Sequence, residues 1–211
     1  MRRYIRVGDQ PPESRNVGLN ASMLVERRMT FYNSDLLKAF PLALRDEAQK
    51  VISVLPETRM SACRFSVDVG EDLVSIPYRI YHDPALIDSA SFTRTQHELL
   101  ACLLTRHHNG FVREDFLPKI LGCNHEWVPP FVVQLVGEYV IEIIQSISDG
   151  IHRIDPDLYR AFLTRNPAFY RTTKKRMLSY WDCYHRAERK EEYAGFRVLE
   201  FFDHLIDSSR A

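Results

Sequence analysis

The stretch that follows Pro129-Pro130 restricts this chain's fold more than any other. Phe131, Val132, Val133, Leu135, Val136, Tyr139, Val140, Ile141, Ile143, Ile144 and Ile147 would surround most of a helical cylinder. The large polar residues Gln134, Glu138, Glu142 and Gln145 follow one another at steps of four, four and three, which confines them to one narrow stripe. A helix apolar around most of its circumference belongs inside a core of several helices. Two prolines suit its first turn, where their missing N–H groups have no intrahelical partner. Burying such side chains supplies roughly 1.5–3 kcal/mol each before entropy is counted. The spacing therefore predicts a central helix over residues 130–148.

A membrane span is not the reading of this segment, because Glu138 and Glu142 would lie near its centre at roughly 2–3 kcal/mol or more each. The N-terminal residues MRRYIRVGDQPPESRN carry charge without the apolar core of a signal peptide. Cys63, Cys102, Cys123 and Cys183 include no close pair, so reduced thiols in a cytoplasm are expected. The 28 basic residues balance 28 acidic ones, and with a pI near 7.1 no overall field attracts polyanions. At 211 residues and 45% hydrophobic composition the chain can fill a core without disulfides or a structural metal.

The remaining punctuation predicts a mainly α (α+β) fold. It is a compact multi-helix domain around the buried central helix, with one β-hairpin in the N-terminal half. Residues 1–22 hold two prolines and two glycines among polar neighbours and read as a flexible arm; residues 23–211 read as a single helical domain. A helix over 35–55 opens at Ser34 and should kink or split at Pro41. Phe65, Val67 and Val69, then Val74, Ile76, Tyr78 and Ile80, alternate around Gly70-Glu71-Asp72. They predict a hairpin over 64–81 with an acidic tip and with Pro77 at an edge. Further helices are expected over 95–108 (stopped by a left-handed Asn109-Gly110), 113–121, 157–165, 167–186 and 189–206.

Three groups of side chains invite a chemical reading. Glu138 and Glu142, one turn apart, can hold a metal or share a proton, but no Glu-x-x-His accompanies them as in di-metal bundles. They read as a solvated or ion-paired edge of the central helix. Cys102, His107, His108, Cys123 and His125 have the residue types of a zinc site, but not its two close ligand pairs. Capping and packing are the expected roles, with no metal and no cofactor. Cys123 follows a helix instead of preceding one, so its thiolate lacks stabilisation, and no catalytic residue is assigned.

The third group carries most weight. From Leu158 to Trp181 there is no acid, where the chain average predicts about three. Arg160, Arg165, Arg171, Lys174, Lys175 and Arg176 lie there, interleaved with Tyr159, Phe162, Phe169, Tyr170, Tyr180 and Trp181. Phosphate contacts combined with base stacking use such a mixture. Aromatics at helical spacing more often face a core, however, with Phe169, Thr173, Met177, Tyr180 or Trp181, and Tyr184 forming the inward stripe. The leading expectation is a non-catalytic cytoplasmic protein, an adaptor or regulator, that contacts another protein through these bases or the hairpin edge. A nucleic-acid-associated protein is the alternative and a metal- or thiol-dependent enzyme the third. DNA reading by residues 95–136 is disfavoured, because the segment starting at Phe131 presents no base where a recognition helix needs one.

Overall fold

Strand alternation sets the first half of the architecture. In the computed structural model, which describes residues 33–58, 63–187 and 189–208, β1 (Arg64–Val69) pairs antiparallel with β2 (Asp72–Pro77). Val67 lies opposite Val74 and Phe65 opposite Ile76, and all four side chains are buried on one face. The two-residue turn Gly70-Glu71 holds Gly70 at φ 56°, a left-handed conformation that other residues adopt with strain. The expected hairpin 64–81 ends early. Pro77 has no N–H to extend the ladder, and Ile80 leaves β2 to form a parallel bridge with His107.

Helices cover the rest. Pro41 divides the expected helix 35–55 into 3-10 segments Asn33–Ala39 and Leu42–Leu44, followed by α1 (Arg45–Ser53). α2 (Arg94–Leu104) starts in a Thr93/Gln96 capping box and stops short of the expected residue 108. The backbone there turns aside: Ile80 N–H donates to the Arg106 carbonyl at 2.9 Å and His108 N–H to the Ile80 carbonyl at 2.9 Å. Asn109 and Gly110 are not a left-handed stop. Asn109 caps α3 (Gly110–Phe116) by accepting from Phe111 N–H, and among the described residues only Gly70 has a positive φ. A 3-10 turn over Leu117–Lys119 completes the expected segment 113–121.

The central helix is two helices. α4 (Pro129–Val136) is buried throughout, the chain breaks at 137–140, and α5 (Ile141–Asp149) resumes. Gly137 weakens the helix at that point, and it lies so close to α7 (Pro167–Tyr180) that a Cβ there would meet Thr173 Cα at 3.3 Å. Glu138 leaves the ladder to meet three arginines. With the break, the polar stripe does not form: Gln134 and Glu138 are buried, Gln145 is exposed, and Tyr139 stands outside the core.

α6 (Pro156–Arg165) is capped by Asp155, whose carboxylate accepts from Asp157 and Leu158 N–H groups. α7 continues into a π turn over Trp181–His185, and α8 (Ala194–Asp207) begins later than the expected residue 189. One contiguous apolar cluster runs from Leu36 to Leu205 through both strands and every α-helix except α3, whose Val112 and Phe116 pack against it. The mainly α (α+β) class holds. The expected arm over residues 1–22 lies outside the described residues. Among the described residues, no helix is long and apolar enough to cross a membrane.

Candidate functional site

The acid-free segment folds into α6, α7 and the first residue of the π turn, and its six bases scatter. Arg160 pairs with Asp157 at 2.6 Å, and Arg165 donates to the Gly70 carbonyl of the hairpin turn. Arg176 donates to the Tyr78 hydroxyl at 3.1 Å and lies over that ring. Arg171, Lys174 and Lys175 share the opposite side of α7. There they rim a groove of about 470 Å³ whose floor is Leu163, Pro167, Tyr170, Leu178 and Ile206. Lys174 reaches Asp203 of α8 at 2.7 Å, and the buried Tyr170 hydroxyl donates to the same carboxylate at 2.8 Å. Burial and then Asp203 push that phenol far above its usual range, so it stays a proton donor.

Most of the interleaved aromatics are structural. Tyr159, Phe162 and Tyr170 are buried, and Phe169 stacks on Phe65 of the hairpin at 5.2 Å. Trp181 packs edge-on against Phe196. The expected inward stripe holds at Thr173 and Met177 but fails at Tyr184, which is 52% exposed. Tyr184 instead continues an outward ladder, Tyr139–Tyr180–Tyr184, with ring centroids 6.0 and 6.3 Å apart.

A second constellation lies on the far side of α7, and the sequence reading missed it. The fully buried Arg106 and Arg113 and the quarter-exposed Arg79 converge on Glu138. Arg79 grips the carboxylate with both ends of its fork, at 2.9 and 3.2 Å. Arg106 contacts the Oε1 atom through Nη2, and Arg113 Nε lies 3.1 Å from Oε2. Burial alone would raise the Glu138 pKa; Arg106, Arg113 and Arg79 together outweigh it and hold the group at about 2. Burial conversely pulls the Arg106 guanidinium down to about 9 against the pull of Glu138. The arginines come from the segment after β2, the turn after α2, and α3, so no motif marks them. The readable signal was a carboxylate, Glu138, in the middle of an apolar run, which when buried must find opposite charge.

No protein family, curated protein or solved structure matches this chain. The site's chemistry must therefore be read from its own geometry.

The cysteine–histidine group separates into two places. His107 and His108 sit beyond the C-terminal end of α2, and His107 Nε2 donates to the His82 carbonyl at 2.8 Å while its Nδ1 accepts from Asn109 N–H at 3.1 Å. Cys123 and His125 instead meet Glu98 in the first half of α2. Glu98 bridges Arg94 Nε at 2.9 Å and His125 Nε2 at 3.0 Å, and the His125 ring stacks on Trp127. Burial and then Glu98 push the Cys123 thiol up to about 11, the opposite of what a nucleophile needs. Among the described residues, no group of three or more His, Cys, Asp or Glu is placed to hold a metal ion.

Proposed function

We propose that the protein is a non-catalytic adaptor or regulator that seats an acidic, amphipathic segment of another protein in the groove along α7. The observation that carries this reading is the groove's make-up: an apolar floor rimmed by Arg171, Lys175 and Lys174, the last paired with Asp203. Leu178, one of its lining residues, is 41% exposed, an apolar anchor point with cationic neighbours. Apolar side chains of the partner would fill the floor, and its carboxylates would meet Arg171 and Lys175. A cytoplasmic setting fits the free thiols of Cys102, Cys123 and Cys183.

Nucleic acid is the less supported occupant of the same bases, because Tyr159, Phe162 and Tyr170 are buried in packing and offer bases no stacking surface. A photo-crosslinker placed at Leu178 tests the reading in native cells. The expected adduct is a protein segment rich in Asp and Glu, formed by the unmodified surface and lost in Arg171→Glu/Lys175→Glu. Adducts unaffected by that charge reversal, or adducts to nucleic acid, overturn it.

A further inference from the structure

Charge does not balance around Glu138. Three guanidiniums surround one carboxylate, so among the described residues the cluster keeps an excess of two positive charges. Arg113 Nη1 donates to the His107 and His108 carbonyls at 2.7 and 2.9 Å, which uses one more nitrogen. Arg106 Nε, Arg106 Nη1 and Arg113 Nη2 are fully enclosed and make no hydrogen bond to any described residue. A cluster built only to neutralise Glu138 would need a single arginine. Each guanidinium beyond the first adds positive charge to the cluster, and the enclosed donors of Arg106 and Arg113 raise the expense of burial.

The cluster opens to solvent at one end. Arg79 is the only one of the three arginines with appreciable exposure, and Tyr81 and Tyr139 lie near enough to interact electrostatically with its guanidinium. Both tyrosines are more than 40% exposed, and Tyr81 stacks on His108. Arg79 can also be shared without orphaning Glu138, because Arg106 and Arg113 keep the carboxylate paired.

We propose that Arg79, backed by the buried positive charge of Arg106 and Arg113, forms an oxyanion site for a phosphate monoester, entered at Arg79 beside Tyr81 and Tyr139. A phosphate monoester carries a charge of about −1.5 to −2 at pH 7, which matches the excess charge, and its oxygens can accept from the partly exposed Arg79 fork. The flanking rings favour an ester borne on a planar group. Arg176 over Tyr78 adds a further cation on the same side of the molecule. The site is independent of the groove, which lies on the other side of α7.

Calorimetric titration with inorganic phosphate and with phenyl phosphate, at ionic strength matched with sodium chloride, tests the proposal. Saturable binding is expected, tighter for phenyl phosphate, and weakened about tenfold or more in Arg79→Gln. Far-UV circular dichroism checks that this variant, which leaves Glu138 paired, is folded. Arg171→Ala/Lys175→Ala should bind as the wild type does, so failure of the groove reading and failure of this one are separable. Affinity should fall between about pH 7.5 and 5.5 as the ester gains its second proton, whereas phenyl sulfonate should show no such fall. A phosphotyrosine peptide as a further titrant tells the source: tighter binding than phenyl phosphate indicates a phosphorylated protein, equal or weaker binding a small metabolite. No saturation by about 10 mM, or Arg79→Gln binding as well as the wild type, overturns the site.

Discussion

Glu138 shows how one side chain can decide a local fold. Its carboxylate sits where a continuous helix would have placed one more turn, and the three guanidiniums reach it only because the chain breaks there. Removing the acid should therefore cost more than removing Arg79. Glu138→Ala leaves two enclosed guanidiniums without a counter-charge, and a loss of about 3–5 kcal/mol is expected. Arg79→Gln leaves the carboxylate with two partners and should cost about 1 kcal/mol. Urea unfolding of both variants checks the order, and equal losses would show that the cluster is not organised around the carboxylate.

At the scale of elements, Asn166 joins the helical half to the hairpin. Its Oδ1 accepts from Asp68 N–H at 2.8 Å and its Nδ2 donates to the Asp68 carbonyl at 2.9 Å, so the amide acts as one residue of an additional strand beside β1. Asn166→Ala leaves both backbone groups unpaired and should destabilise by about 2 kcal/mol, read from the shift in urea midpoint. Asn166→Asp should be at least as harmful, because a carboxylate oxygen would face the Asp68 carbonyl. The sequence was a good guide to such elements wherever the signal is local. Alternation marks the strands, Pro41 marks the split in the first helical stretch, and Asn166-Pro167 marks the start of α7. It misled where a distant partner intervenes. Asn166 precedes α7 but makes no side-chain cap hydrogen bond to it, because its amide is engaged with β1. The largely apolar run after Pro130 hides the bend at Gly137, because Glu138 there meets arginines contributed by residues 79, 106 and 113. The bases of α7 were visible as a run, but the separation of Arg176 from the three that rim the groove follows only from the packing of α7 against Gly137 and Tyr78.

For the whole molecule, acid should act in two stages. His82 is buried, and burial and then His107 lower its pKa to about 4 from the ordinary 6.5. Asn33 donates its amide to the Leu55 carbonyl, so its Oδ1 must accept from His82 Nε2–H, and the His82 Nδ1 atom has no partner among the described residues. A depressed histidine pKa means that the unfolded chain takes up the proton first. Stability is therefore complete above about pH 6.5 and declines as pH falls toward 4. His107 is also lowered, by burial and then His108, and contributes in the same direction. Glu138 enters later: its support is intact above its ordinary 4.5 and is withdrawn as pH falls toward 2. Unfolding free energies measured across pH should show the first decline reduced in His82→Gln and the second unchanged; a first decline of full size in that variant rules out His82 as its source. The bridge at Ile80 gives these sites a common mechanical footing. Both hydrogen-bonding groups of its backbone are tied to the turn after α2, one residue along the chain from Arg79. Arg79, the strap at Ile80 and the His107 carbonyl that Arg113 grips thus form one hydrogen-bonded chain from the solvent edge inward.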